Sequence, residues 1–210
     1  MQIAPKSRIV FIGDSITDCG RSRPIGEAAG LGNGYVALFD ACWRVRYPVH
    51  GLRVLNFGVS GDTIRDVSKR WGDAIDSQAE TVALMIGIND VWRQFDRPDR
   101  PELGVPLDEY TQTLDRLTRD LGVRKRATVL LTPFFIEPNR SEPMRAMMDR
   151  YGDVVKGIAG HYGVACLDTQ QVFDRLLVSM HPYELADDRV HPRTTGHMAL
   201  ALALLDALHP

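Results

Sequence analysis

The sequence has few cysteines, and none of them is placed to staple a fold. Cys19, Cys42 and Cys166 are odd in number and far apart. That excludes a dense disulfide framework and the paired spacing of a zinc site. Reduced thiols in a cytoplasm are the expectation. Long apolar runs are missing too: the longest, Met198 to Leu205, falls well short of the roughly 20 residues a membrane-spanning helix needs. The brief run Ile9 to Ile12 leads straight into Gly13-Asp14-Ser15, without the long apolar region or small-residue cleavage site of a secretory signal. Neither sign of charge prevails, since 25 Lys and Arg stand against 27 Asp and Glu, a formal net charge of -2. Such a balance offers no electrostatic footprint for nucleic acid or for an anionic membrane surface. Repeats, low-complexity tracts and interdomain linkers are absent as well.

What is present is a chain of 210 residues, 44% of them hydrophobic, enough to bury a sizeable core within a single domain over 1–210. Five short segments rich in Val, Ile, Leu and Phe recur at wide intervals: Arg8–Ile12, Leu52–Phe57, Val82–Ile86, Thr128–Leu131 and Val164–Leu167. Each is continuously apolar rather than alternating, as in strands buried on both faces of a parallel sheet. Helical spacing fills the intervals. Tyr35 to Tyr47 ends before Pro48, and Leu107 to Leu121 carries Leu107, Tyr110, Leu114, Leu117 and Leu121 on one stripe before stopping at Gly122. Met144 to Tyr162 and Thr194 to His209 read similarly, with Met144, Met147, Met148 and Tyr151 assigned to core or interface packing. The alternation predicts an α/β sandwich around a parallel sheet of five strands. Arg93 to Pro106, dense in Arg, Asp and Pro, is expected to be a long surface loop.

Open α/β sheets bind ligands beyond the carboxyl ends of their strands. Four polar groups fall there: Gly13-Asp14-Ser15 after the first strand, Asn56 to Thr63 after the second, Gly87-Ile88-Asn89-Asp90 after the third, and Asp188-Arg189-Val190-His191-Pro192 beyond the last. Together they complete one chemistry, acyl transfer. A serine hydroxyl is a weak nucleophile until a base takes its proton, and a neutral imidazole at His191 supplies that base. Asp188, three residues earlier, can fold back onto the other ring nitrogen and hold its tautomer. The N–H groups of Ser15 and Gly58 and the side-chain amide of Asn89 are the candidate donors to a tetrahedral oxyanion. A glycine at 58 suits a backbone that approaches substrate closely. Asp14 is expected to orient the nucleophile's turn, and His197 to support the site or lie on the surface. Trp92, Arg93 and Phe95 fall at or near the rim, either as substrate contacts or as core and subunit contacts. A hard-ligand cluster of Asp14, Asp18, Asp62, Asn89, Asp90 and His191 in a metal-dependent phosphoesterase is the rival chemistry. A non-catalytic carbohydrate-binding protein on the same fold is a third reading.

In these blocks the sequence resembles the SGNH hydrolases, also called the GDSL esterase family. The family's serine, glycine, asparagine and histidine blocks match Ser15, Gly58, Asn89 and His191, with Asp188 completing a triad and Ile16 replacing the leucine of the literal Gly-Asp-Ser-Leu. The stretches Phe11 to Gly20, Ile86 to Phe95 and Asp188 to Pro192 are most similar to bacterial serine acetylxylan esterases. The resemblance implies a flavodoxin-like three-layer α/β/α sandwich, no metal or other cofactor, an acetylated carbohydrate as substrate and assembly into homo-oligomers. Lipases, thioesterases and arylesterases of the same family are the alternative activity.

Overall fold

The computed structural model describes residues 1–210. Its strands are β1 (Arg8–Gly13), β2 (Gly26–Glu27), β3 (Arg53–Asn56), β4 (Thr81–Met85), β5 (Ala127–Leu131) and β6 (Ala165–Leu167). Its helices are α1 (Ser15–Asp18), α2 (Tyr35–Arg46), α3 (Ile64–Lys69), α4 (Trp71–Asp76), α5 (Ile88–Asp96), α6 (Leu107–Val123), α7 (Pro143–Tyr162), α8 (Thr169–Leu176), α9 (Pro182–Leu185) and α10 (Thr194–Ala207). The sheet runs β2-β3-β1-β4-β5-β6. The five expected strands are present and mutually parallel. The sixth, β2, is antiparallel to β3, which corrects the five-stranded reading. Two residues, one of them glycine, leave no apolar run to see. The edge strand β6 also departs from expectation, because Cys166 is exposed and its neighbours are half-buried. Only strands flanked on both sides are covered on both faces.

Counting the parallel strands alone, their order is second, first, third, fourth, fifth. Connections leave β1 for one side and then for the other, which opens a crevice beyond the carboxyl ends of β1 and β4. Helices cover the sheet in two layers, α2 with α8 and α10, and α3 and α5 with α6 and α7. One cluster of 53 buried apolar residues fills the space between. On α2, Tyr35 and Phe39 pack edge-on to Phe11 of β1, with ring centroids 5.8 and 5.5 Å away, a favourable aromatic geometry. On α6 the stripe Tyr110, Leu114, Leu117 and Leu121 is buried as expected, and the helix runs through Gly122 to Val123. Met144, Met148 and Tyr151 of α7 are core.

The segment expected to be a loop from Arg93 is instead helical as far as Asp96. The stripe Ile88, Val91, Trp92 and Phe95 keeps helical spacing past the point where charge becomes dense, and burial of Ile88 and Val91 anchors the turn. A short 3-10 turn at Pro101–Leu103 interrupts what remains of the connection.

Two details near the crevice have testable energetics. A Cβ added to Gly58 would lie 2.3 Å from Asp18 N and 2.7 Å from Asp18 Cα. The glycine is therefore required for the turn after β3 to pack against α1. In α7, by contrast, Gly157 has nothing within 4 Å of such a Cβ. We expect Gly58→Ala to destabilise the protein by at least about 2 kcal/mol through overpacking. Gly157→Ala, which removes backbone freedom from the unfolded chain, should stabilise it by about 0.5–1 kcal/mol. Thermal unfolding of both variants checks the pair, and equal shifts in Tm would refute the account.

His197 of α10 is buried, and its Nδ1 accepts the Tyr35 N–H at 3.2 Å. That N–H opens α2 and has no partner within the helix. A backbone N–H only donates, so Nδ1 is unprotonated and Nε2 carries the hydrogen, 3.4 Å from Cys19 Sγ. Burial, with a smaller push from nearby His191, lowers the His197 pKa from 6.5 to about 4. Between those values the unfolded chain binds the proton and the folded one does not, so this residue's contribution falls as pH drops. The stability of wild type relative to His197→Asn should therefore decrease by about 2 kcal/mol between pH 7 and pH 5. Urea titrations at the two pH values measure it. A pH-independent difference would show that the folded imidazole charges freely.

Candidate active site

Each of the four blocks leaves its strand or helix on the same side of the sheet. The apolar run of β1 ends at Gly13, where Asp14 caps α1 by accepting the Ile16 N–H at 2.9 Å. The cap makes Ser15 the first residue of that helix, half-buried with its hydroxyl free to face the crevice. At the other end of the chain Pro192 is buried beneath α10, and the turn before it presents His191. Ser15 Oγ lies 2.9 Å from His191 Nε2, and His191 Nδ1 lies 2.6 Å from Asp188 Oδ2. The three side chains are arranged like a Ser-His-Asp triad. Asp188 Oδ1 accepts the N–H groups of Val190 and His191 at 2.9 and 2.8 Å, so the carboxylate is held by the same turn that carries the imidazole.

Electrostatics separates the acids. For Asp188, burial favours the neutral form, but the His191 side chain and the two backbone N–H groups outweigh it and bring its pKa below the ordinary carboxylate value. Asp14 is pushed up to about 7, since burial outweighs the Ile16 N–H and the pull of His191. Asp90 is likewise raised to about 7 by burial, against the Ile64 N–H that its Oδ1 accepts at 3.0 Å. The other oxygen, Oδ2, is buried without a hydrogen-bond partner, which fits a protonated acid better than a carboxylate. Burial raises the Cys19 thiol to about 12, so this neighbour of Ser15 is no competing nucleophile.

The candidate oxyanion donors differ in availability. Ser15 N–H donates to no other protein group. The buried Asn89 amide gives one hydrogen to Asp62 O, with Nδ2 at 2.9 Å, and keeps its second. Gly58 N–H donates to Asn56 Oδ1 at 2.9 Å, so it can reach another acceptor only as a shared donor. Asn56 was not foreseen as a site residue. Fully buried at the end of β3, its amide also donates to Thr17 O and Leu31 O, tying the two turns together. Its signal in the sequence is a polar side chain closing an apolar strand.

Of the rim residues, Trp92 meets the site directly, its ring edge-on to His191 with centroids 5.9 Å apart. Arg93 lies over the ring of that indole, 4.7 Å from its centroid, and pairs with Asp96. Phe95 is 37% exposed and meets neither ring. The rival metal cluster does not assemble. Asp18 holds Arg23 and Ser60, Asp62 holds Arg70, Asp14 and Asp90 cap helices, and no three His, Cys, Asp or Glu side chains converge as ligands. A polar hollow of about 310 Å³, lined by Thr132, Arg145, Lys156 and Asp168 among others, includes none of Ser15, Asp188 and His191. No helix is long and apolar enough to cross a membrane.

Known proteins are similar to this chain along almost its whole length. An acetylxylan esterase from Geobacillus stearothermophilus is 48% identical over 208 residues, covering 98% of this chain and 95% of that protein. The crystal structure of Axe2, an acetylxylan esterase from the same organism, superposes with a TM-score of 0.97 at 48% identity, covering 99% of this chain and 96% of that one. Structures described as catalytic mutants of Axe2 replace a serine, a histidine and an aspartate. LAE5, an alpha/beta hydrolase from the metagenome of Lake Arreo, superposes with a TM-score of 0.95 at 46% identity, covering 98% and 96% of the two chains. The model of the GDSL-like lipase/acylhydrolase family matches residues 11–199, from inside β1 to inside α10 and through all four polar blocks. This chain belongs to that family.

Proposed function

We propose that the protein is a serine esterase that removes small acyl groups, acetyl above all, from carbohydrates such as xylo-oligosaccharides. The observation that carries the proposal is the unbroken chain from Ser15 Oγ to His191 Nε2 at 2.9 Å and from His191 Nδ1 to Asp188 at 2.6 Å. Ser15 attacks the ester carbonyl as His191 takes its proton, and the ionised Asp188 steadies the imidazolium. Ser15 N–H and the free hydrogen of the Asn89 amide meet the oxyanion, with Gly58 N–H shared between it and Asn56. His191 then protonates the departing sugar alkoxide. Finally it activates water to release acetate and regenerate the serine.

The acyl and alcohol preferences rest on two supports. Four hollows of about 220–360 Å³ are lined by none of Ser15, Asp188 and His191, so none of these four offers a long acyl chain a buried path from the triad. On the alcohol side, Trp92 places an indole beside His191, with the Arg93 guanidinium over its ring, an aromatic surface suited to the apolar face of a sugar ring. The resemblance to acetylxylan esterases points the same way. A cytoplasmic setting and assembly into homo-oligomers complete the proposal, the first supported by three free thiols and the second by the resemblance alone.

Acetate release from acetylated xylo-oligosaccharides, compared with aryl esters of increasing chain length, tests the activity. Ser15→Ala or His191→Ala should lower kcat by about 10⁴–10⁶, and Asn89→Ala by roughly 10²–10³. An organophosphonate should label Ser15. Near-full activity in Ser15→Ala, or equal rates on long acyl chains, would overturn the assignment. Trp92→Ala should raise KM for the oligosaccharide by about three- to tenfold, the worth of one aromatic contact, while KM for a small aryl acetate stays put. A parallel rise on both substrates would reduce Trp92 to a prop for His191.

A further inference from the structure

Arg70 stands between α3 and α4, outside the four polar blocks. Its side chain is only 19% exposed, and its guanidinium has three partners on two segments that the active-site chemistry needs, the end of β1 and the connection from β3 to α3. Nε donates to Asp62 Oδ2 at 2.6 Å, Nη1 to Phe57 O at 2.8 Å and Nη2 to Gly13 O at 3.2 Å. Each partner lies one short step from a proposed oxyanion donor. The Phe57 carbonyl belongs to the same peptide unit as Gly58 N–H. A planar peptide fixes the two in opposite directions, so holding that oxygen aims the hydrogen. Gly13 O sits at the end of β1, two residues before Ser15, and also accepts the Val59 N–H at 3.0 Å. The main-chain oxygen of Asp62 accepts the Asn89 amide.

One planar fork therefore ties the end of β1, which leads into Ser15, to the connection that bears Gly58 and whose Asp62 O accepts the Asn89 amide, as a lysine's point charge cannot. The guanidinium also draws electron density toward the Phe57 carbonyl, which makes the N–H of that peptide a stronger donor. We propose that Arg70 is a positioning residue for oxyanion stabilisation, acting through the Phe57–Gly58 peptide, the Gly13 carbonyl and Asp62. This rests on the esterase reading above. Arg70 contacts no substrate atom, so its effect belongs in the transition state and leaves ground-state binding alone.

The test uses a small aryl acetate, which makes it independent of the sugar, and counts functional sites by titrating Ser15 with an organophosphonate. Misfolding lowers the titrated fraction, whereas loss of positioning lowers turnover per titrated site. Arg70→Met should reduce kcat per titrated serine by about 10- to 100-fold, less than deletion of a donor outright, with KM within about threefold of wild type. Arg70→Lys should fall between the two. Wild-type kcat per titrated site in Arg70→Met would overturn the proposal. If that variant does not fold, the same result in Arg70→Lys overturns it. A wild-type serine that resists labelling would end the esterase reading itself, whereas labelling and aryl-acetate turnover without activity on acetylated xylo-oligosaccharides would revise only the substrate.

Discussion

The hydrogen bond between Ser15 and His191 joins residues 176 positions apart, and almost nothing that fixes it is local to both. The serine is placed by the parallel pairing of β1 with β4. There Gly13 sits so close to the neighbouring strand that a Cβ would lie 2.3 Å from Met85 O, and Asp14 then turns the chain into α1. The histidine is placed by a loop secured at several points. Ile136 N–H donates to Arg189 O at 2.9 Å, Arg193 N–H to Leu185 O at 2.6 Å, and Arg189 pairs with Glu137. Ala186 and Pro192 form an isolated bridge across the same loop. Proximity of this kind is worth several kcal/mol of barrier only when it is already established before substrate arrives. The sheet edge and the 186–193 loop together establish it.

Three aspartates near this edge show how one residue type is divided among tasks by its surroundings. Asp188 is partly exposed and held by three donors, so it stays ionised and can balance an imidazolium. Asp14 and Asp90 are buried and each accepts a backbone N–H from a helix start. Desolvation outweighs those single bonds, which is why their acidity is weakened and that of Asp188 is not. Asp90 and its neighbour Asn89 reach the same short segment, one through Ile64 N–H and the other through Asp62 O. The first turn of α5 is thereby pinned to the start of α3 by two consecutive side chains.

Legibility in the sequence followed the range of the interactions. The five parallel strands were readable because continuous apolar runs report burial on both faces, and the polar blocks stood out because chemistry concentrates where those runs stop. Ser15, Asp188, His191 and Asn89 were found that way. Short elements were not. The two residues of β2 carry no periodicity, and α3 is announced only by Thr63 and Asp66, a capping box in a stretch without a long apolar stripe. The helical turn Arg93–Asp96 was hidden by its charges, which face outward while Val91 is buried and Trp92 packs partly against the core. Arg70 and Asn56 escaped notice for another reason. Both act mainly on main-chain carbonyls and N–H groups, which every residue carries; Asp62 is the one side chain that marks an Arg70 contact, and only the polar close of an apolar strand marks Asn56.

The buried titratable groups near the site act on stability with opposite signs as the pH falls. Lowering the pH from 7 toward 4 opposes folding at His197, whose folded pKa lies below its unfolded value. Over the same interval Asp14 and Asp90, with folded pKa values near 7 against 3.8, bind protons in the folded state that the unfolded chain still lacks. They stabilise the fold as the pH falls, with the opposite sign. The two effects act within one neighbourhood, because Asp14 and His197 both sense His191. Protonation of the buried acids is therefore the less costly state of the core, and the carboxylate that must remain charged for the proposed chemistry is the one left beside water.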